Sequence, residues 1–166
     1  EHVVGEVRGG LEASPYADNT IVVLISDHGY HLGEKNRYQK NTLWERSSHV
    51  PVTISGPGIK PKQRSQRTVG LIDLYPTLVD LAGLPANPKN EGRSLKPLID
   101  NPQKKWPFPT FTEWYGNVDR SEPTQNISIQ QGQYRYTQYA DGSEELYNHK
   151  TDRHEWDHLA DDPKSQ

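Results

Sequence analysis

The chain has 166 residues, with 19 Lys plus Arg against 22 Asp plus Glu and a formal charge of −3. That is one domain's worth of length, without the basic excess that a nucleic-acid binder carries. It holds no cysteine, so disulfides, thiolate metal sites and a cysteine nucleophile are excluded within it. No apolar run approaches the roughly 20 residues of a membrane span, and no charged-then-apolar leader opens the chain. Only 31% of residues are hydrophobic, against about 45–50% in an ordinary globular domain on a similar count. The sequence is therefore lean for a self-sufficient core and is expected to be part of something larger.

In chain order, Val3, Val4, Val7 and Leu11 form a helical stripe weakened by Gly5, Gly9 and Gly10. The helix would start at the first residue, a second sign of a fragment. Thr20 to Ser26 is a continuous β-branched run that suits a strand buried on both faces, as in a parallel sheet. Val50 to Ile54 is a second strand, with Pro51 tolerated only at its start or on an edge. Asp73 reads as the N-cap of a helix carrying Leu74, Leu78, Leu81 and Ala82, with Pro76 in the first turn and Gly83 as the stop. Leu84 to about Pro109 is rich in Pro, Asn and Lys and reads as a linker with short ordered pieces. Ile127 to Gln130, Gln133 to Tyr139 and Glu144 to Tyr147 read as strands, with Asp141-Gly142 as a hairpin turn. The expected organisation is residues 1–85 as an α/β portion, 86–110 as a linker region, and 111–166 as a small antiparallel subdomain ending in a helical turn.

The sharpest constellation is Ser26-Asp27-His28-Gly29, directly after the first strand. Open α/β sheets place ligands at the carboxyl ends of strands. Asp27 offers a hard carboxylate, His28 an imidazole, and Gly29 a backbone free to turn sharply. The same four residues also suit a capped strand-to-loop turn with Asp27 bonding local N–H groups. Lys40 could return its ammonium to the same pocket, where a compact point charge suits a tetrahedral anion such as sulfate or phosphate. By position alone it could equally be a solvated surface lysine.

Taken together, S-D-H-G-Y-H-L-G-E, K-N-T-L-W-E-R-S-S-H-V-P, G-P-G and L-I-D-L-Y-P-T-L-V-D-L-A-G-L resemble the C-terminal half of a type I sulfatase of the alkaline phosphatase superfamily. The nearest branch is the iduronate-2-sulfatase-like and choline-sulfatase-like one. The tail, Y-A-D-G-S-E-E-L-Y-N and T-D-R-H-E-W-D-H-L-A, is also similar to the family's ending. The order and spacing of these motifs are more specific than any one of them. The resemblance covers about Ser14 to Ala160 and is weakest from Lys104 to Gln125. It implies an α/β fold: the C-terminal part of an alkaline-phosphatase-like parallel-sheet sulfatase domain, followed by a small antiparallel subdomain. It implies hydrolysis of sulfate esters, on a sulfated small molecule or glycan. Asp27 and His28 match the pair that holds a divalent cation, usually calcium, with manganese or zinc as alternatives. Lys40 matches the lysine that contacts the sulfate. Glu45, Val50, Pro51 and Asp73 match positions that shape the fold, and His31 lies near the site with no fixed role. Export to the periplasm or outside the cell is the family's usual location.

The chain departs from the family pattern by an absence. The family's nucleophile is a formylglycine made from the first residue of C/S-x-P-x-R, and neither that motif nor the family's paired N-terminal aspartates occur here. The expectation is that they lie in a missing N-terminal half, so the isolated chain is inactive. Other readings are a phosphonate or phosphodiester hydrolase of the same superfamily, and a non-catalytic remnant. A rival motif is His154-Glu155-Trp156-Asp157-His158, which fits the H-E-x-x-H zinc-protease signature. Its third ligand is not evident, and a helical turn packed on the terminal sheet is the plainer reading. Trp106, Phe108, Trp114 and Tyr115 could stack on a carbohydrate or pack the linker. Asn126-Ile127-Ser128 is a glycosylation sequon that means something only in a secreted eukaryotic context.

Overall fold

The computed structural model describes residues 2–115 and 125–160. Its elements are α1 (His2–Glu12), β1 (Val22–Ile25), α2 (Glu45–Ser48), β2 (Val52–Ser55), α3 (Leu74–Leu81), α4 (Lys96–Asp100), β3 (Thr110–Tyr115), β4 (Gln125–Gln131), β5 (Tyr134–Gln138) and β6 (Glu144–Asn148).

The valine stripe does form α1, but no α1 residue is buried. The helix stops where the Ser14 hydroxyl turns back to donate to Leu11 O at 2.8 Å. The apolar run yields β1, which pairs antiparallel with β2, Val22 opposite Ser55 and Ile25 opposite Val52. Among the described residues its neighbour is one antiparallel strand, and Leu24 and Ile25 remain exposed. A continuous apolar run says that both faces suit cover, not which way the neighbours run. Pro51 immediately precedes β2, where its missing N–H costs no ladder bond.

Asp73 precedes α3 as the sequence suggests, but its side chain points backwards. Oδ2 accepts from Gly70 N at 3.0 Å and Oδ1 from Arg93 N at 2.8 Å. Buried Thr77 donates to Asp73 O and accepts from Leu95 N at 2.8 Å. Gly83, at φ 67°, is the left-handed stop after α3. The stretch between residues 86 and 110 is therefore sewn onto α3. Leu95 and Leu98 are buried with Leu74, and a Cβ at Gly92 would meet Ile72 O at 2.1 Å. Trp106 and Phe108 pack edge to face at 5.0 Å, with Arg93 over the Phe108 ring. Trp114 and Tyr115 sit on β3, a strand the composition did not reveal. Neighbours along a strand face opposite ways, so the four aromatics do not make one surface.

The C-terminal sheet is antiparallel in the order β3-β4-β5-β6. Its hairpins turn at Gly132 (φ 59°) and Gly142 (φ 84°). The sheet is inverted in polarity. Asn126, Ser128, Arg135, Thr137 and Tyr147 are buried on the inner face, while Phe111 and Tyr134 on the outer face are exposed. Asn126 of the sequon is occupied, its Nδ2 donating to Trp114 O and its Oδ1 accepting from Ala140 N. After β6 the chain runs through turns as far as Ala160 and forms no helix. The Asp152 carboxylate accepts from the N–H groups of His154 and Asp157, and Glu155 is left-handed at φ 59°. The left-handed residue interrupts the turn that the Asp152 side chain opens, so the expected helical turn is corrected to a loop of turns.

Candidate site at the end of the first strand

Asp27, His28 and Lys40 converge. Asp27 Oδ1 accepts from His28 N at 3.0 Å, the local capping bond that the turn reading foresaw. Asp27 Oδ2 lies 3.4 Å from His28 Nε2. Lys40 Nζ lies 3.0 Å from the same Nε2, and His28 Nδ1 lies 2.8 Å from Gly29 O. The Gly29 and Lys40 contacts fit one tautomer, with Nδ1–H donating to the carbonyl and Nε2 accepting from the ammonium. The Asp27 side chain is 83% exposed and Lys40 is exposed, so a carboxylate, an imidazole nitrogen and a cation face solvent together.

The loop that carries them is fixed from beneath. Gly29 donates its N–H to Ser47 O at 2.8 Å, and a Cβ at this position would stand 1.9 Å from Arg46 O. Its glycine serves a close backbone approach rather than an unusual φ. His31 is 1% exposed. Its Nε2 meets Thr42 Oγ1 at 2.9 Å and its Nδ1 meets Glu34 O at 3.2 Å, with its ring edge-on to Trp44. His31 N donates to Gln39 O and Gly33 N to Arg37 O, both at 2.9 Å, closing residues 31–39 into a compact loop that ends at Lys40. Within it, Leu32 N donates to the Glu34 carboxylate and helps hold its pKa below the usual range, with the Arg46 charge acting the same way.

Below the loop lies a charged seam to the C-terminal sheet. Arg135 is 2% exposed and Glu155 1%. Arg135 Nη2 donates to Glu45 Oε2 at 2.5 Å and Gln130 Oε1 at 2.6 Å, and Nη1 to Leu43 O and Ser128 Oγ, both at 3.2 Å. Its Nε is 2.8 Å from Glu155 Oε1, but makes no aligned hydrogen bond, so that contact is Coulombic. Glu155 Oε2 accepts from Glu45 N at the start of α2, and Oε1 lies 2.8 Å from His149 Nε2. Burial pushes the Glu45 carboxyl up, but His49 bonding Oε1 at 2.7 Å and the Arg135 charge outweigh it and bring its pKa down to about 2. The same bond from Glu45 raises His49 against its burial. Trp44 Nε1 donates to Glu145 Oε2 at 2.8 Å, which also accepts from Tyr139 Oη at 3.0 Å.

Among the described residues, ligand atoms of Glu45, His149 and Glu155 lie within 4.8 Å of one another. Arg135 stands among them and already balances the two carboxylates, so the cluster is an ion network. This also answers the H-E-x-x-H motif. Glu155 is consumed by the seam, and without a helix His154 and His158 lack the one-face geometry that zinc coordination by that motif needs. The sequence brought Asp27, His28 and Lys40 to notice but not Arg135, His149 or Glu155 as a group. Arg135 and Glu45 lie 90 residues apart, and no local pattern announces such a pair.

The sequence model of the family described as Sulfatase matches residues 1–84. A protein of Formosa agariphila named Sulfatase is 36% identical over 156 residues, covering 94% of this chain and 29% of the relative. Arylsulfatase K of Gallus gallus is 34% identical, covering 84% of this chain and 27% of the relative. A solved structure in complex with D-glucosamine-2-N,6-O-disulfate superimposes with a TM-score of 0.88 at 25% identity, covering 98% of this chain and 34% of that one. A phosphonate monoester hydrolase of Silicibacter pomeroyi gives a TM-score of 0.84 at 25% identity, covering 97% and 34%. The chain thus spans about a third of the length of the proteins it matches.

Proposed function

The chain belongs to the sulfatase family, and from that premise we propose that the protein containing it hydrolyses sulfate esters, with Asp27 and His28 holding a divalent cation and Lys40 binding the sulfate. Its fold is the C-terminal part of an alkaline-phosphatase-like sulfatase domain with its antiparallel subdomain. The observation that carries the reading is the meeting of Lys40 Nζ, His28 Nε2 and Asp27 Oδ2 on one exposed loop.

The donor set fits part of a divalent cation's shell. Asp27 supplies a hard oxygen and His28 a borderline nitrogen. Calcium, the first choice, takes 6–8 ligands, largely oxygens, so other groups would complete the shell. When bound there, such a cation supplies Lewis acidity toward a sulfuryl oxygen. The chain's own residues do the rest of what can be assigned to them. Gly29 O holds His28 Nδ1, which leaves Nε2 directed at the site. Lys40 places a compact positive charge where charge grows on the sulfate in the transition state. The nucleophile, a formylglycine in this reading, is assigned to sequence outside these 166 residues. The substrate class is a sulfated sugar, supported by the structural neighbour bound to a disulfated glucosamine. An exported location is part of the proposal on the family resemblance alone.

A second reading, hydrolysis of phosphonate or phosphate esters, is favoured by the likeness to the phosphonate monoester hydrolase. The test is steady-state kinetics of the full-length enzyme on an aryl sulfate and on a phosphonate monoester. Lys40→Ala should lower kcat/KM on the sulfate about 10²–10³-fold, and Asp27→Ala should release the metal. Preference for the phosphonate would transfer the site to the second reading. Unchanged sulfate turnover in Lys40→Ala, or full metal occupancy in Asp27→Ala, would refute the assigned roles.

A further inference from the structure

We propose that Lys35 is a positioning residue whose ammonium, boxed against the C-terminal sheet, fixes the loop that aims Lys40. The inference rests on the assignment of Lys40 to the sulfate.

Lys35 lies five residues before Lys40, inside the loop closed by His31 and Gln39. Most lysines project into water; this one turns inward. Its Nζ donates to Tyr147 Oη at 2.9 Å and stands 4.6 Å from the Tyr147 ring centroid and 4.7 Å from that of Trp44. The two rings are themselves held. Tyr147 is buried opposite Arg135 in the sheet register, and Trp44 is bonded to Glu145. Desolvation pushes the Lys35 pKa down while Glu145 and Glu155 pull it back up, as expected for a cation drawn into the seam.

The backbone gives the reason for such a box. Lys35 and Asn36 run left-handed, at φ 53° and 54°, a conformation that Asn tolerates but that costs a residue such as Lys roughly 1–2 kcal/mol. Something outside the loop must hold that geometry. Among the described tertiary contacts, the Lys35 side chain is the one from the tip of the loop to the C-terminal sheet that joins a hydrogen bond to two cation–π faces, a combination favoured when desolvated. With the tip pinned, the strand of loop running from Asn36 to Lys40 has a fixed origin. Without it, the bond from His31 to Gln39 still closes the base, while the arm over residues 34–38 that leads into Lys40 loses its outer tether. Small misplacements of a charge at a reacting group cost rate steeply.

The experiment is a double-mutant cycle in the full-length enzyme, reading kcat/KM on an aryl sulfate and inhibition by inorganic sulfate. Lys35→Met should lower kcat/KM about tenfold and weaken sulfate inhibition about tenfold. Lys35→Arg, which keeps a cation between the rings, should recover most of the loss. In the Lys40→Ala background, Lys35→Met should change either quantity by less than about twofold, because its effect passes through Lys40. Additive losses, or wild-type sulfate inhibition in Lys35→Met, would overturn the inference and leave Lys40's role standing. No loss in Lys40→Ala alone would overturn the functional reading and this inference with it. Should Lys35→Met fail to fold, Tyr147→Phe, which deletes only the hydroxyl acceptor, enters the same cycle. It should then show a smaller loss, again absent in the Lys40→Ala background.

Discussion

The loop from Asp27 to Lys40 and the seam from Glu45 to Glu155 treat charge in opposite ways. In the loop, a carboxylate, an imidazole and an ammonium face solvent with one to three contacts each. In the seam, the Glu155 carboxylate and the Arg135 guanidinium are buried, the His149 imidazole is half-buried beside them, and they carry several. The same side-chain chemistry is left under-committed where a ligand could complete it and saturated where it holds two parts of the chain together. Burial is what separates the roles, because an unpaired charge is tolerable in water and costly inside.

The comparison breaks first at Arg135. Arg135→Met should cost about 3–5 kcal/mol of unfolding free energy in denaturant titration, since it leaves buried Glu155 and half-buried Glu45 without their shared cation. A loss below about 1 kcal/mol, as for an exposed pair, would mean that the seam is wetter than its burial implies.

Next in size is an acid effect at Glu45. Its pKa falls on folding from 4.5 to about 2, so its contribution is present above about pH 4.5 and is lost as pH falls toward 2. The drop corresponds to about 3 kcal/mol. His49 has the opposite sign: raised on folding, it stabilises below its unfolded pKa of about 6.5, and that contribution is lost as pH rises through the raised value. A thermal-midpoint profile should therefore fall on the acid limb and sag more weakly on the neutral-to-alkaline one. Glu45→Gln should flatten both, and an unchanged profile in that variant would remove Glu45 as their source.

The smallest expected effect sharpens the comparison at the join. Gly29→Ala must push the Arg46 carbonyl aside, at a cost of about 1–3 kcal/mol, and should disturb His28 and Lys40 more than the seam. The check is a fall in kcat/KM larger than the stability loss accounts for. Wild-type turnover would show that the loop does not depend on that close approach.

The sequence alone determined α1, β1, β2, α3 and the strands β4 to β6, and it grouped Asp27, His28 and Lys40. A continuous β-branched run made β1, alternation and Asp-Gly made the β5–β6 hairpin, and the spacing of Asp27, His28 and Lys40 within the family motifs singled out three residues that meet in space. These are local signals, set by backbone sterics and by a loop short enough for its ends to meet. Tertiary structure alone decided the rest: that β1 meets β2 antiparallel, that the 86–110 stretch is sewn to α3, that the sheet buries Arg135 and Thr137 rather than Tyr134, and that Glu155 of a zinc-like motif caps α2. Those outcomes depend on contacts between residues tens of positions apart. A charged or polar residue reads as solvent-facing until its distant partner is known, because only the pairing makes its burial favourable.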